Sequence, residues 1–177
     1  MPNRSDTDSL NSRIEKKLGV LVGLPLWAVG RSVDLAWFAF GNRRPVKGWN
    51  GVERDVGEYA LHVQCPWRIT LGDEVVTGRG DIFCTPEESA EPLPFDFDWQ
   101  KGNRFDRVVE QVVTELLPLT VQRVEAAHAG RLSIQLEHGY GLEVFPHDSE
   151  NDEHWRFFRP FTEEAHFAVT GKWLRTE

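Results

Sequence analysis

Cysteine is nearly missing from this chain, which has Cys65 and Cys84 and no others among its 177 residues. One pair cannot build a disulfide framework, so a hydrophobic core must hold the fold, and reduced thiols in a cytoplasmic setting are expected. Positive charge is in deficit: 20 Lys and Arg face 28 Asp and Glu, for a net charge of −8. An acidic surface repels phosphate backbones and anionic lipid, which argues against nucleic acid and against a polybasic membrane attachment. Long apolar runs are scarce as well. Leu18 to Gly30 carries no charge, but it is thirteen residues long and broken by Gly19, Gly23, Pro25 and Gly30. A bilayer span needs about 20 residues, so this stretch reads as core.

Catalytic templates are missing too. The chain has no Gly-rich phosphate loop, no Gly-x-Ser-x-Gly elbow and no His-Glu-x-x-His. No catalytic residue, no cofactor and no metal site is therefore expected.

What the chain has in quantity is large aromatics, with seven Trp and eleven Phe. Each such ring buries on the order of 150–250 Å², so a few of them fill a core. The length suits one domain. Residues 1–9, polar and of mixed charge, read as a frayed tail and not a signal peptide. Residues 10–177 read as a single α+β domain.

Periodicity supplies the elements. Leu10, Ile14, Leu18, Leu21 and Val22 recur at helical spacing, predicting a helix from Ser9 to Val22 that Gly23 and Pro25 stop. Pro25 to Gly30 reads as a turn into a strand at 32–40, and Gly41 to Gly51 as a basic, turn-rich connection. Tyr59, Leu61, Val63, Cys65 and Trp67 alternate along one long strand, Glu58 to Thr70. Gly72-Asp73 turns into a strand at Val75 to Gly78, with further extended residues at Asp81 to Phe83. Residues 85–102 form a Pro-rich acidic loop carrying Glu87, Glu88, Glu91, Asp96 and Asp98. Asn103 is an N-cap candidate for a helix whose stripe runs Phe105, Val108, Val109, Val112, Val113, Leu116 and Leu117 up to Pro118. Leu119–Glu125, Arg131–Glu137, Tyr140–Phe145 and Ala165–Leu174 read as a four-strand meander, with a short extended piece at His154 to Phe158. The fold expected is a mostly antiparallel sheet, a meander in its C-terminal half, covered on one face by two α-helices.

Two strings look functional. In LHVQCPWR (61–68), a metal reading would pair His62 with Cys65, but residues three apart on a strand face opposite ways. Cys65 shares the apolar face with Leu61, Val63 and Trp67 and reads as an inert core thiol, while His62, Gln64 and Arg68 share the other face. A guanidinium there needs a carboxylate, and Asp81 is the nearest candidate, giving an expected Arg68–Asp81 pair with Trp67 stacked beside it. A ligand anion is the alternative partner. In FPHDSENDEHWRFFRP (145–160), Asp148, Glu150 and Asp152 alternate, but Glu153 replaces the required Gly and Arg159 the closing acid, so an EF-hand is excluded. The string reads as a solvated acidic turn, after which Trp155 docks into the core and Arg156 stays outside. The residues singled out for binding are His62, Gln64, Arg68, Asp81, Glu153, Trp155 and Arg156.

LHVQCPWR at 61–68 and EHWRFFRP at 153–160, with RSVDLAWFAFG at 31–41, resemble an uncharacterised family of small bacterial proteins common in actinobacteria. The similarity spans about residues 18–170 and implies no activity and no catalytic residues. The C-terminal meander followed by a Trp-Arg pair is also loosely similar to immunity proteins of polymorphic toxin systems. The function expected is a non-catalytic protein-binding module, in one form an immunity-type inhibitor of a partner with a basic surface. The alternative is a small-molecule binder or enzyme with an Arg-based anion site near His62 and Arg68.

Overall fold

A computed structural model describes residues 4–48, 50–86, 102–172 and 174–176; side chains are described for 10–48, 50–86, 102–111 and 113–172. Helix α1 (Arg4–Leu18) opens the chain, five residues earlier than Ser9, and a 3-10 turn at Gly19–Leu21 follows it. Eleven strands succeed one another: β1 (Pro25–Ser32), β2 (Leu35–Lys47), β3 (Glu53–Val63), β4 (Trp67–Leu71), β5 (Glu74–Gly78), β6 (Leu119–Ala127), β7 (Arg131–Leu136), β8 (Tyr140–Val144), β9 (Glu153–Phe158), β10 (Phe167–Thr170) and β11 (Leu174–Thr176). Between β5 and β6 lies helix α2 (Arg104–Val108), continued by a π-helical stretch at Val109–Val113 and a last α-turn at Thr114–Leu116. Asn103 caps α2 as its sequence position predicts, accepting the Asp106 amide at 2.8 Å.

All pairings are antiparallel, in the order β11-β10-β9-β3-β2-β1-β6-β7-β8-β4-β5. The α+β class is as expected, but several boundaries differ. The expected turn at Pro25 to Gly30 is strand β1, because Leu26 and Val29 have core to face while the chain pairs with β2. The basic connection at 41–51 is largely the extended end of β2, paired with β3 from Arg43↔Gly57 to Lys47↔Glu53. The single long strand expected over 58–70 is two strands. Gln64, Cys65 and Pro66 form a corner between β3 and β4, pinned where the Gln64 and Cys65 amides both donate to the His154 carbonyl, at 2.8 and 3.2 Å. Residues Arg79–Phe83 wind into a 3-10 turn and are not extended. The meander holds for β6, β7 and β8, but β8 then pairs with β4, and the chain crosses back to put β9 beside β3 and β10 beside β9. The acidic loop expected at 85–102 lies, over 87–101, outside the described residues.

The sheet folds over on itself. β1 and β6 share only Pro25↔Thr120 and Leu26↔Leu119, and β3 passes into β4 through the Cys65 corner. Residues far apart in strand order consequently meet. Phe38 of β2 packs edge-on against Trp67 of β4 at 5.5 Å, and Trp67 does the same against Phe105 of α2. The Trp155 indole nitrogen donates to the Gly130 carbonyl in the β6–β7 turn at 3.0 Å. Ile14 and Leu18 of α1 and Phe105 of α2 enter this one core with Phe40, Leu61, Ile134 and Val144. Both helices thus cover the inner face of the sheet. No described helix is long and apolar enough to cross a membrane.

Candidate functional site

The outer face of the first half-sheet carries a cleft of about 510 Å³. Its floor is a row of small side chains in register across three strands: Ala28 opposite Ala39, and Ala39 opposite Ala60. Phe158 of β9, opposite Ala60, ends that row. One step along the strands runs a second row: Gly30 opposite Trp37, Trp37 opposite His62, and His62 opposite Arg156. A register shift between Leu26 and Ala28 makes a bulge in β1, which brings both Trp27 and Ala28 to the cleft. Pro160 and Phe161 close one end together with Arg54 and Asp55 of the β2–β3 hairpin, the Arg54 guanidinium lying 5.5 Å over the Phe161 ring. Phe161 is 56% exposed and has φ 56°, a left-handed conformation that is strained for an aromatic residue. Small residues beneath and aromatics around make a recess where bulkier β-formers would have filled the space.

His62 lines this recess, and burial pushes its pKa down to about 4, with the Arg156 cation adding to the effect. It is therefore neutral near pH 7. Its ring meets Phe158 edge-on at 4.8 Å, and Phe158 stacks on His166 at 4.4 Å. Arg156 grips Glu153 through two hydrogen bonds and lies 3.3 Å from His166 Nδ1. Gln64 Nε2 donates to Glu153 Oε1 at 3.4 Å. Four of the residues singled out from sequence (His62, Gln64, Glu153 and Arg156) thus form one group.

The other three are placed elsewhere. Trp155 is fully buried in the core, as its spacing predicts. The expected Arg68–Asp81 pair does not form. Arg68 pairs with Glu143 directly across on β8, at 2.6 Å, and Glu143 also accepts from Arg131 at 2.9 Å. Burial would raise the Glu143 pKa, but the bonds from Arg68 and Arg131 outweigh it and hold the carboxyl below its ordinary range. Asp81 instead accepts the Thr77 hydroxyl at 2.8 Å and the Gly78 amide at 3.2 Å, organising the 3-10 turn. Among the described residues no guanidinium stacks on Trp67, which faces Phe38 and Phe105 in the core. The corner at 64–66 explains the separation: it sends Arg68 into the opposite half-sheet from His62.

Cys65 is 1% exposed, and burial pushes its thiol up to about 12, as an inert core position requires. Trp27, Trp37, Phe158 and Phe161 are site residues that sequence reasoning missed. The signal available was alanine and glycine interleaved with tryptophan in WAVGRS and LAWFAFG, at positions where a strand normally places larger residues. A further group escaped notice in the 145–154 segment: His147, Asp148 and His154 present ligand-type atoms that all lie within 4.8 Å of one another. Comparison with family models, curated proteins and solved structures finds no match to this chain.

Proposed function

We propose that this chain is a non-catalytic binding protein that recognises a partner protein with a basic surface and seats an apolar side chain of that partner in the aromatic cleft. The observation that carries the reading is the cleft's construction, an Ala28–Ala39–Ala60 floor between aromatic walls. Large aromatics around an open recess are how protein interfaces hold their anchor residues. His62, neutral near pH 7, offers no charge that would exclude an apolar group. The net charge of −8 favours a basic partner, accelerates its approach and makes capture salt-sensitive. An immunity-type inhibitor of a basic toxin is one concrete form of this activity.

A small apolar molecule is the second reading, favoured by a volume within the range of small-molecule sites. Its anion-binding version gains nothing from Arg68 or Arg156, since each already faces a carboxylate.

The test is titration with a short cationic peptide carrying one phenylalanine, beside its alanine version and its acidic counterpart, read by the protein's tryptophan fluorescence. The cationic phenylalanine peptide should bind, weaken with added salt, and fail against Ala60→Leu at unchanged melting temperature. Equal binding of the acidic or the alanine peptide would overturn the reading. Free phenylalaninamide binding as well as the peptide would replace it with the small-molecule reading.

A further inference from the structure

The β8–β9 connection brings His147, Asp148 and His154 together. Asp148 stands between the two rings: His154 Nε2 lies 3.1 Å from its Oδ1, and His147 Nδ1 lies 3.7 Å from its Oδ2. Two imidazoles and one carboxylate are the donor set that zinc and its neighbours among the divalent transition ions prefer.

His154 is only 2% exposed, and its place is fixed by the backbone, because its carbonyl anchors the Gln64–Cys65 corner. Its Nδ1 is buried with no hydrogen-bond partner among the described residues. A buried polar atom left unpaired is destabilising, a cost which an apolar residue at position 154 would avoid. The ring is held at that cost with Nε2 aimed into the cluster. Asp148 is oriented by the Glu150 amide, which donates to Oδ1 at 3.0 Å. The loop itself is seated on the β10–β11 turn, so closely that a Cβ at Gly171 would stand 2.5 Å from the Asp148 and Glu150 carbonyls. Two of the three donors are thus positioned by the fold, and the third, His147, is exposed and free to close by a rotamer change.

We infer that His147, Asp148 and His154 form a binding site for a divalent transition ion of the zinc type. Ligand atoms around zinc bonded at about 2.0–2.1 Å lie roughly 3.3 Å apart, so a small inward shift of His147 completes the set. Coordination through His154 Nε2 moves that ring's hydrogen to Nδ1, and Asp148 exchanges a hydrogen bond for the ion. Exposure of His147 and Asp148 leaves the remaining coordination positions to water or to an external donor. The ion would fasten the 145–152 segment to the corner that joins the two half-sheets.

The experiment is calorimetric titration of the full chain with zinc chloride, beside His147→Ala and Asp148→Asn. The asparagine keeps an acceptor for His154 and removes only the anionic ligand, so its metal-free melting temperature should match that of the unsubstituted chain. The unsubstituted chain should take up one equivalent, melt at higher temperature, and revert with chelator. Both variants should lose roughly tenfold or more in affinity, the size of effect seen when even outer-shell partners are removed. Cobalt bound in place of zinc should show the intense visible bands of a low-coordinate nitrogen–oxygen site. The inference fails if no saturable equivalent binds, if either variant binds like the parent, or if cobalt keeps the weak spectrum of its hydrated ion.

Discussion

Gly30 and Trp37 face each other across β1 and β2, and a Cβ at Gly30 would lie 2.2 Å from Cζ2 of the Trp37 indole. The indole rests where any side chain at position 30 would stand. One wall of the cleft therefore depends on the absence of a methyl group on the neighbouring strand. Gly30→Ala should displace the ring and cost about 1–3 kcal/mol, as overpacking does. A lower urea midpoint with altered tryptophan emission checks it; an unchanged midpoint would show that the indole has room to move.

The lowered pKa of His62 sets a pH dependence whose sign is fixed. Between about 4 and the ordinary value of 6.5, the unfolded chain binds a proton at this histidine that the folded chain does not. Its contribution makes stability rise with pH across that window and fall again as the pH drops towards 4. His62→Gln should flatten this part of the curve. Urea midpoints of both proteins at pH 7 and 4.5 make the comparison, and parallel losses would contradict the shift.

Arg31 grips Asp106 by two bonds of 2.8 Å, tying the end of β1 to α2. The Arg31 hydrogen bonds hold the Asp106 carboxyl below its ordinary range. Stability from this pair is present above the ordinary carboxylate pKa, about 3.9, and is lost as pH falls through the depressed folded value. Arg31→Met should cost about 1.5–3 kcal/mol at pH 7, the scale of hydrogen bonds to charged groups, and less in acid. Denaturant unfolding at pH 7 and at pH 3 gives both numbers.

The two thiols should differ sharply. With Cys65 buried and its pKa near 12, Ellman's reagent at pH 8 should modify half-buried Cys84 and leave Cys65 silent until urea unfolds the chain. Reaction of both thiols in the native protein at similar rates would mean that the corner opens readily.

Much of the fold can be read from local pattern. Asn103 followed by the Phe105–Val113 stripe marks α2, and the Leu61–Val63–Cys65–Trp67 alternation marks a core-facing run, because periods of 3.6 and 2 record which face is buried. The corner at Gln64–Pro66 escapes that reading, since the apolar alternation continues unbroken through it. The bond that makes it, from two amides to the carbonyl of His154, comes from a residue about ninety positions away. Proximity in sequence points Arg68 to Asp81, whereas strand pairing sets it opposite Glu143.

The amino-acid sequence by itself determined an acidic α+β chain, a core rich in large aromatics, and the inward side of most strands and both helices. These follow from composition and from periodicities that any neighbour would satisfy. Tertiary structure alone decided which strands lie side by side, and with that the alanine row from three strands and the parting of His62 from Arg68. Such groupings depend on pairings between distant segments, and a strand's own pattern specifies which face is buried but not whose edge it meets.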